Sequence, residues 1–360
     1  MHCTCGIIGL PNVGKSTLFN ILTKSQIPAK NFPFCTIQPN IGFAPVIDIR
    51  LNKLSEIVCS KNIVTSNIEF IDIAGLVKGA SQGLGLGNKF LNHIQKTDAL
   101  IHVVRCFEND NIIHVNNKIT PEYDIETVNI ELILSDLNLC QQKLLYFKNK
   151  KYIMNNIDNK KIKILNHCLH HLKNFKMIKD LNLDVSELEL IHDLNFITLK
   201  PMIYLINFIS NNKNHILLQK LLNSNILDNN IFILLNILEE KNNFITTKNF
   251  HDFNQLKYQN AKINEIVTTV YNILNLENFF TVGKKEIRSW TIPKNTIILN
   301  AAKKIHSDFK KGFIRAQVIS YLDFVTYKGE NKVREIGKLR FEGKKYIVQN
   351  GDIIKFLFKV

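Results

Sequence analysis

Gly9-Leu10-Pro11-Asn12-Val13-Gly14-Lys15-Ser16 follows the apolar stretch Cys5-Gly6-Ile7-Ile8 and runs directly into Thr17-Leu18-Phe19-Asn20-Ile21-Leu22, which has helical spacing. A strand, a loop of the form G-x-x-x-x-G-K-[ST] and a helix, in that order, make a phosphate-binding loop. The glycines let successive backbone N–H groups of Asn12, Val13 and Gly14 turn inward around a β-phosphate, and the start of the helix at Ser16 and Thr17 adds its dipole. Lys15 is placed to neutralise β- and γ-phosphate oxygens, and the Ser16 hydroxyl to ligate Mg²⁺.

Working outward, Ile71-Asp72-Ile73-Ala74-Gly75 closes a second apolar strand with a carboxylate and places a glycine three residues later. That is the arrangement expected of an acid on the Mg²⁺ side and an N–H that senses the γ-phosphate, so Asp72 and Gly75 join the candidate site. Lys78-Gly79-Ala80-Ser81-Gln82-Gly83-Leu84-Gly85-Leu86-Gly87 is too glycine-rich for a rigid element and reads as a switch loop. Between the two motifs, Asn31-Phe32-Pro33-Phe34-Cys35-Thr36-Ile37-Gln38-Pro39 offers a threonine in a proline-bracketed loop, and Thr36 is the expected second hydroxyl ligand of Mg²⁺. Cys35 beside it reads as an exposed, oxidisable thiol.

Leu76 stands where many GTPases carry the glutamine that orients the attacking water, so another group must do that work. His114, just beyond a strand end, can orient or deprotonate water, although residue type and position alone favour a plain surface histidine. No Asn-Lys pair is followed by the Asp of a guanine-reading Asn-Lys-x-Asp. The strand end at the corresponding place gives Asn207-Phe208-Ile209-Ser210, where the amide of Asn207 can bond adenine, Phe208 lies beside it, and Ser210 cannot replace the guanine-reading carboxylate. ATP is therefore the expected substrate.

The rest of the chain fits an α/β protein of several packed units. Ile68 to Ile73, Ala99 to Val104, Pro201 to Ile206 and Ile231 to Leu235 read as buried parallel strands, interrupted between about Ile125 and Leu199 by helical spacing that suggests an antiparallel hairpin. After Asn278 short strands and turns indicate a small α+β domain. The formal net charge of +15 favours a polyanionic partner, with lysines outnumbering aspartates ten to two between Gln141 and Asp180, and a second basic cluster from Lys303 to Arg315. No apolar run is long enough to cross a membrane and no leader precedes the first strand, so a cytoplasmic protein with no membrane attachment is expected. The seven cysteines are odd in number and lack a zinc-binding spacing, which predicts reduced thiols.

Taken together, the Gly9–Ser16 loop, Asn31-Phe32-Pro33-Phe34-Cys35-Thr36-Ile37, Asp72-Ile73-Ala74-Gly75-Leu76-Val77-Lys78-Gly79-Ala80-Ser81 and His102-Val103-Val104-Arg105-Cys106-Phe107-Glu108-Asn109-Asp110 resemble the YchF family of Obg-related ATPases. Gly312-Phe313-Ile314-Arg315-Ala316 and Tyr327-Lys328-Gly329-Glu330 extend the resemblance nearly to the end of the chain. It implies a P-loop G domain split over residues 1–124 and 200–276, an inserted α-helical coiled coil over 125–199, and a C-terminal TGS domain of β-grasp form over 277–360. It also implies ATP hydrolysis with Mg²⁺ and binding to the ribosome; the expected partners are accordingly the ribosome, whole or large subunit, and ribosomal RNA, and a monomer is expected. In that family a hydrophobic residue matches Leu76, and the histidine proposed to activate water falls on His114. Two departures stand out. The family's base motif usually ends in Glu where this chain has Ser210, and residues 222–259 match poorly, with Leu235-Asn236-Ile237 where small residues are expected. The first functional reading is thus a slow ATPase switch, and the competing ones are a ribosome-docking protein with a vestigial nucleotide site and a GTPase translation factor.

Overall fold

The computed structural model describes residues 3–24, 40–73, 75, 87–112, 114, 118–149, 156–228, 230–237 and 253–359. Along the first two-thirds of the chain run β1 (Cys3–Ile8), α1 (Lys15–Lys24), β2 (Ile41–Pro45), α2 (Arg50–Val58), β3 (Asn62–Val64), β4 (Asn67–Asp72), α3 (Gly87–Gln95), β5 (Ala99–Cys106), α4 (Pro121–Lys148), α5 (Asn156–Lys173), α6 (Val185–Ile191), β6 (Met202–Phe208), α7 (Asn212–Asn223) and β7 (Ile231–Leu235). The remainder gives α8 (Phe253–Ile273), β8 (Leu276–Val282), β9 (Glu286–Pro293), α9 (Ile298–Ile305), α10 (Ser307–Lys311), β10 (Phe313–Ile319), α11 (Tyr321–Thr326), α12 (Glu330–Glu335), β11 (Arg340–Glu342) and β12 (Ile353–Phe358).

The first sheet has strand order β2-β4-β1-β5-β6-β7. β5 is parallel to β1, with Ile7 opposite Ile101, and to β6, with Val104 opposite Ile206, while β7 runs parallel to β6. Every residue of β5 is buried and six of seven in β6 are, as parallel strands covered on both faces require. Parallel pairing sends every loop that follows β1, β5 and β6 to one edge, which is why the P-loop, the residues after Cys106 and the Asn207 loop share an end of the sheet.

The helical insertion is a hairpin of α4 and α5, started by Pro121 in the first turn of α4. Val128, Leu132 and Cys140 of α4 are buried, as are Leu165, Cys168 and Leu172 of α5. Burial pushes the Cys168 thiol up to about 11, and the six cysteines among the described residues are free. The chain returns to the sheet through α6, whose start is fixed by a reciprocal cap: Glu187 N–H donates to Asp184 Oδ1 at 2.8 Å and Asp184 N–H to Glu187 Oε2 at 3.0 Å. Buried Asp136 of α4 holds that return, accepting from Ile197 N–H at 3.0 Å and from the N–H and hydroxyl of Thr198, each at 2.7 Å. Desolvation raises its carboxyl to about 6 against those hydrogen bonds.

The second sheet has order β11-β10-β12-β8-β9-β3. The hairpin β8–β9, the helix α9, and β12 laid parallel to β8 make a β-grasp. One face is filled by Phe279, Ile292, Ile298, Ala302, Phe313 and Phe356. On the other, Phe280, Ile287, Ile319, Phe324 and Ile353 pack with Leu51 and Leu54 of α2. β3 then adds to the edge, parallel to β9, with Ile63 opposite Ile287. Residues 43–68 therefore belong to the compact unit of residues 263–360, and residues 3–42 with 69–262 form the other unit. The runs expected as strands in this region, Cys5 to Ile8, Ile68 to Ile73 and Ala99 to Val104, enter the first sheet in β1, β4 and β5. α2 and β3 do not, because their apolar side chains cover a face and an edge of the second sheet. Among the described residues no helix is long and apolar enough to cross a membrane.

Candidate functional site

The site begins where β1 ends in the middle of its sheet, between β4 and β5. The loop that follows needs left-handed backbone at Gly9 (φ 143°), Asn12 (φ 62°) and Gly14 (φ 106°). A Cβ at Gly14 would lie 3.0 Å from Asn207 Nδ2 and 3.1 Å from Ile237 Cδ1, so only glycine fits that turn without displacing the neighbours. Helix α1 opens with Leu18 N–H donating to Gly14 O at 2.9 Å, which leaves the preceding N–H groups at the loop. Val13 is buried, Thr17 half-buried, and Asn12 and Ser16 are exposed.

Lys15 is 7% exposed and its ammonium donates to Leu10 O at 2.6 Å, bridging its own loop. Burial lowers its pKa to about 8, and the negative charge of Asp72 opposes that shift. Asp72, half-buried at the end of β4, is fixed by its N–H donating to Asn40 O at 2.9 Å. A Cβ at Gly75 would lie 2.9 Å from the Pro11 ring, so the glycine is needed for the Asp72–Gly75 segment to approach the phosphate loop. Ser16 and Asp72 thus offer a hydroxyl and a carboxylate, hard oxygens of the kind Mg²⁺ takes, around a lysine poised for phosphate. Thr36, Cys35, Leu76 and the glycine-rich segment up to Leu86 lie outside the described residues.

On the far side of the loop, Asn207 is 2% exposed. Its Nδ2 donates to Val13 O at 3.0 Å, and its Oδ1 accepts from Ile237 N–H at 3.2 Å. Both ends of the amide are engaged by backbone, so Asn207 laces the phosphate loop to the segment after β7, an anchoring duty beside the base-reading one expected from sequence. Phe208 packs edge-on against His215 with centroids 5.1 Å apart, and Ser210 Oγ lies 3.3 Å from His215 Nε2. Asn214 ties the loop down, donating to Ile209 O at 2.8 Å and accepting from Glu108 N–H at 3.0 Å.

His114 is buried, at 6% exposure, which removes the surface-histidine alternative. Its Nε2 lies 2.9 Å from Asp124 Oδ2 in the first turn of α4. Desolvation raises the Asp124 carboxyl, with His114 and Arg105 pulling the other way. Arg105, 1% exposed at the end of β5, organises the segment before His114 by donating to Phe107 O (3.1 Å), Ile112 O (3.0 Å) and Asn109 O (3.2 Å). Arg105, Asp124 and Asn214 did not emerge from the sequence as site residues. A charged side chain inside an otherwise apolar strand was the signal for Arg105, and nothing marked Asn214.

A strand, phosphate loop and helix, an Asp-x-x-Gly strand end packed against that loop, and an asparagine bracing it from β6 define a P-loop nucleoside triphosphatase. Two protein-family models match the chain: "50S ribosome-binding GTPase" over residues 4–150 and YchF-GTPase_C, "Protein of unknown function (DUF933)", over residues 276–359. Relatives named "Ribosome-binding ATPase YchF" are 50% identical over 370 residues in Buchnera aphidicola from Acyrthosiphon pisum and 46% identical over 363 residues in Escherichia coli O157:H7, each match spanning 100% of both chains. The solved structure of the Schizosaccharomyces pombe YchF GTPase is 34% identical, covers 99% of this chain with 98% of its own, and superposes with a TM-score of 0.84. The chain belongs to the YchF family.

Proposed function

We propose that this protein is an ATP-hydrolysing, Mg²⁺-dependent switch that docks on the ribosome and acts in translation or its regulation. The observation that carries the nucleotide half is the junction at Asn207, which braces the phosphate loop while the strand end offers Ser210 in place of a guanine-reading carboxylate. The names of the bacterial relatives support ATP as substrate and the ribosome as partner. The Schizosaccharomyces pombe relative is named a GTPase, which keeps GTP as the competing substrate.

In this reading a triphosphate draws the Lys15 ammonium from Leu10 O to its β- and γ-oxygens, and the loop N–H groups of Asn12 to Ser16 hold the β-phosphate. When bound, Mg²⁺ supplies positive charge against the phosphate oxygens, and Ser16, Thr36 and Asp72 are the residues that would hold it. His114 orients the attacking water. Asp124 holds the ring through Nε2 at 2.9 Å and so fixes its orientation. The loops at Thr36 and Gly75 order around the γ-phosphate and release on hydrolysis, which changes affinity for the ribosome. Ribosomal RNA is the polyanion that the net charge of +15 suits, and the protein acts as a cytoplasmic monomer.

The test is hydrolysis of ATP and of GTP at matched concentrations with Mg²⁺, each with and without purified ribosomes. ATP turnover stimulated by ribosomes supports the switch. Ribosome binding without turnover leaves a docking protein with a relic site, and faster GTP turnover reverses the base assignment.

A further inference from the structure

The loop that follows Asn207 starts beside the phosphate loop, because Asn207 itself is bonded to Val13 O and to Ile237 N–H. In an open parallel sheet the ligand lies outside the carboxyl ends of the strands, so a triphosphate held at the end of β1 has its purine among the loops after β6 and β7. The loop after β6 is held in shape at the start of α7. Asn211 Oδ1 accepts from Asn214 N–H at 2.8 Å, and the buried Asn214 side chain donates to Ile209 O at 2.8 Å. Two exposed polar side chains are thereby set side by side: Ser210 Oγ lies 3.3 Å from His215 Nε2, and Phe208 packs against the His215 ring with centroids 5.1 Å apart.

From Asn207 to Ile216 the chain carries no carboxylate. A carboxylate only accepts hydrogen bonds, whereas a hydroxyl bonded to a neutral imidazole works in either sense. If the Ser210 hydroxyl donates to Nε2, Oγ keeps lone pairs for an incoming N–H. If Nε2–H donates to Oγ, the hydroxyl proton is free for an incoming carbonyl oxygen. Both arrangements use the same 3.3 Å contact. We propose that Ser210 and His215 together read the base, meeting the 6-amino group of adenine in one arrangement and the 6-oxo group of hypoxanthine or guanine in the other. Ser210 sets the specificity, and His215 is the positioning residue that holds its hydroxyl. This role rests on the nucleotide reading of the site and is independent of the ribosome. Guanine differs further by its 2-amino group, for which this loop offers no carboxylate, so inosine triphosphate (ITP) rather than GTP isolates the 6-position. Glu108 adjoins the loop through its N–H, which donates to Asn214 at 3.0 Å, and its exposed carboxylate is the competing reader.

The test is equilibrium binding of ATP and of ITP to the full chain with Mg²⁺, by calorimetry. The wild type binds the two within about fivefold of each other, and Ser210→Glu, which can only accept, favours ATP by about tenfold or more. His215→Phe keeps a ring against Phe208 but removes the nitrogen, and weakens both triphosphates by a similar severalfold factor. Glu108→Gln leaves the ratio of the two affinities unchanged. A wild type that separates ATP from ITP by more than about fivefold, a ratio indifferent to Ser210→Glu, affinities untouched by His215→Phe, or a ratio that moves with Glu108→Gln overturns the base-reading pair and leaves the nucleotide site standing. No saturable binding of either triphosphate overturns the nucleotide reading itself, and the base-reading pair with it.

Discussion

The two six-stranded sheets use their buried polar groups in opposite ways. At the end of the parallel sheet, Lys15, Arg105 and Asn207 each bond to backbone groups of loops, so the network ends in the segments that surround the nucleotide site. In the second sheet the network closes on side chains. Asn278, 3% exposed, accepts from the hydroxyls of Tyr271, Ser66 and Thr291, and its Nδ2 lies 3.4 Å from Asp48 Oδ2. Asp48 in turn pairs with Arg50 at 2.7 Å, and Arg50 reaches Asn350 at 2.9 Å and lies over the Phe280 ring at 5.0 Å. A network that ends on loops can exchange a backbone partner for a phosphate. One closed on side chains can only be kept or lost, and it holds residues 43–68 to their sheet.

The largest expected effect is at Lys15. Lys15→Ala lowers ATP turnover by roughly 100- to 1,000-fold, because it removes the buried ammonium that faces the phosphate site, while the urea midpoint of the protein moves little. The converse change is Asn278→Leu, which strips one acceptor from three hydroxyls and a donor from Asp48. It costs about 3 kcal/mol in urea unfolding and leaves unstimulated turnover within about twofold. If Asn278→Leu lowers turnover as far as Lys15→Ala does, the contrast between the two networks is wrong.

The parallel half was legible because its signals are local. The glycines at 9 and 14 are dictated by one tight turn, and the run from Ala99 to Val104 is apolar apart from the buried His102 because both faces of β5 are covered. The destination of α2 was not legible. Leu51 and Leu54 show only that one stripe of α2 is buried, and the residues they meet, Phe280 and Ile353, are more than two hundred positions away. For the same reason the sequence could nominate His114 without showing that Asp124 holds it and Arg105 shapes the chain before it. Ser210 reads as a missing acid from sequence, and the structure adds that the Asn207 amide at the same strand end is already bonded to Val13 and Ile237.

A smaller effect tests whether the Asn207 brace serves the ligand or the fold. Asn207→Ala removes two hydrogen bonds to backbone, and the expected outcome is nucleotide affinity weaker by about tenfold in calorimetry, equivalent to about 1.4 kcal/mol. A loss of global stability with unchanged affinity would move Asn207 into the same class as Asn278.

The subtlest effect follows from the depressed pKa of Lys15, about 8 against an ordinary 10.5, and it has opposite signs for folding and for binding. Between those two values the unfolded chain holds a proton that the folded, ligand-free protein has lost, so this group makes ligand-free stability rise with pH across that window. In the role proposed for Lys15, a triphosphate binds the ammonium form. As pH climbs through 8, binding must take up the missing proton, and affinity falls toward about tenfold per pH unit until the pKa of the complex is reached. Calorimetry at pH 9 in two buffers of different ionisation enthalpy should report close to one proton taken up per nucleotide bound, and Lys15→Met should abolish it. Uptake that persists in Lys15→Met would assign the proton to another group, and none in the wild type would mean that Leu10 O holds the ammonium charged despite its burial.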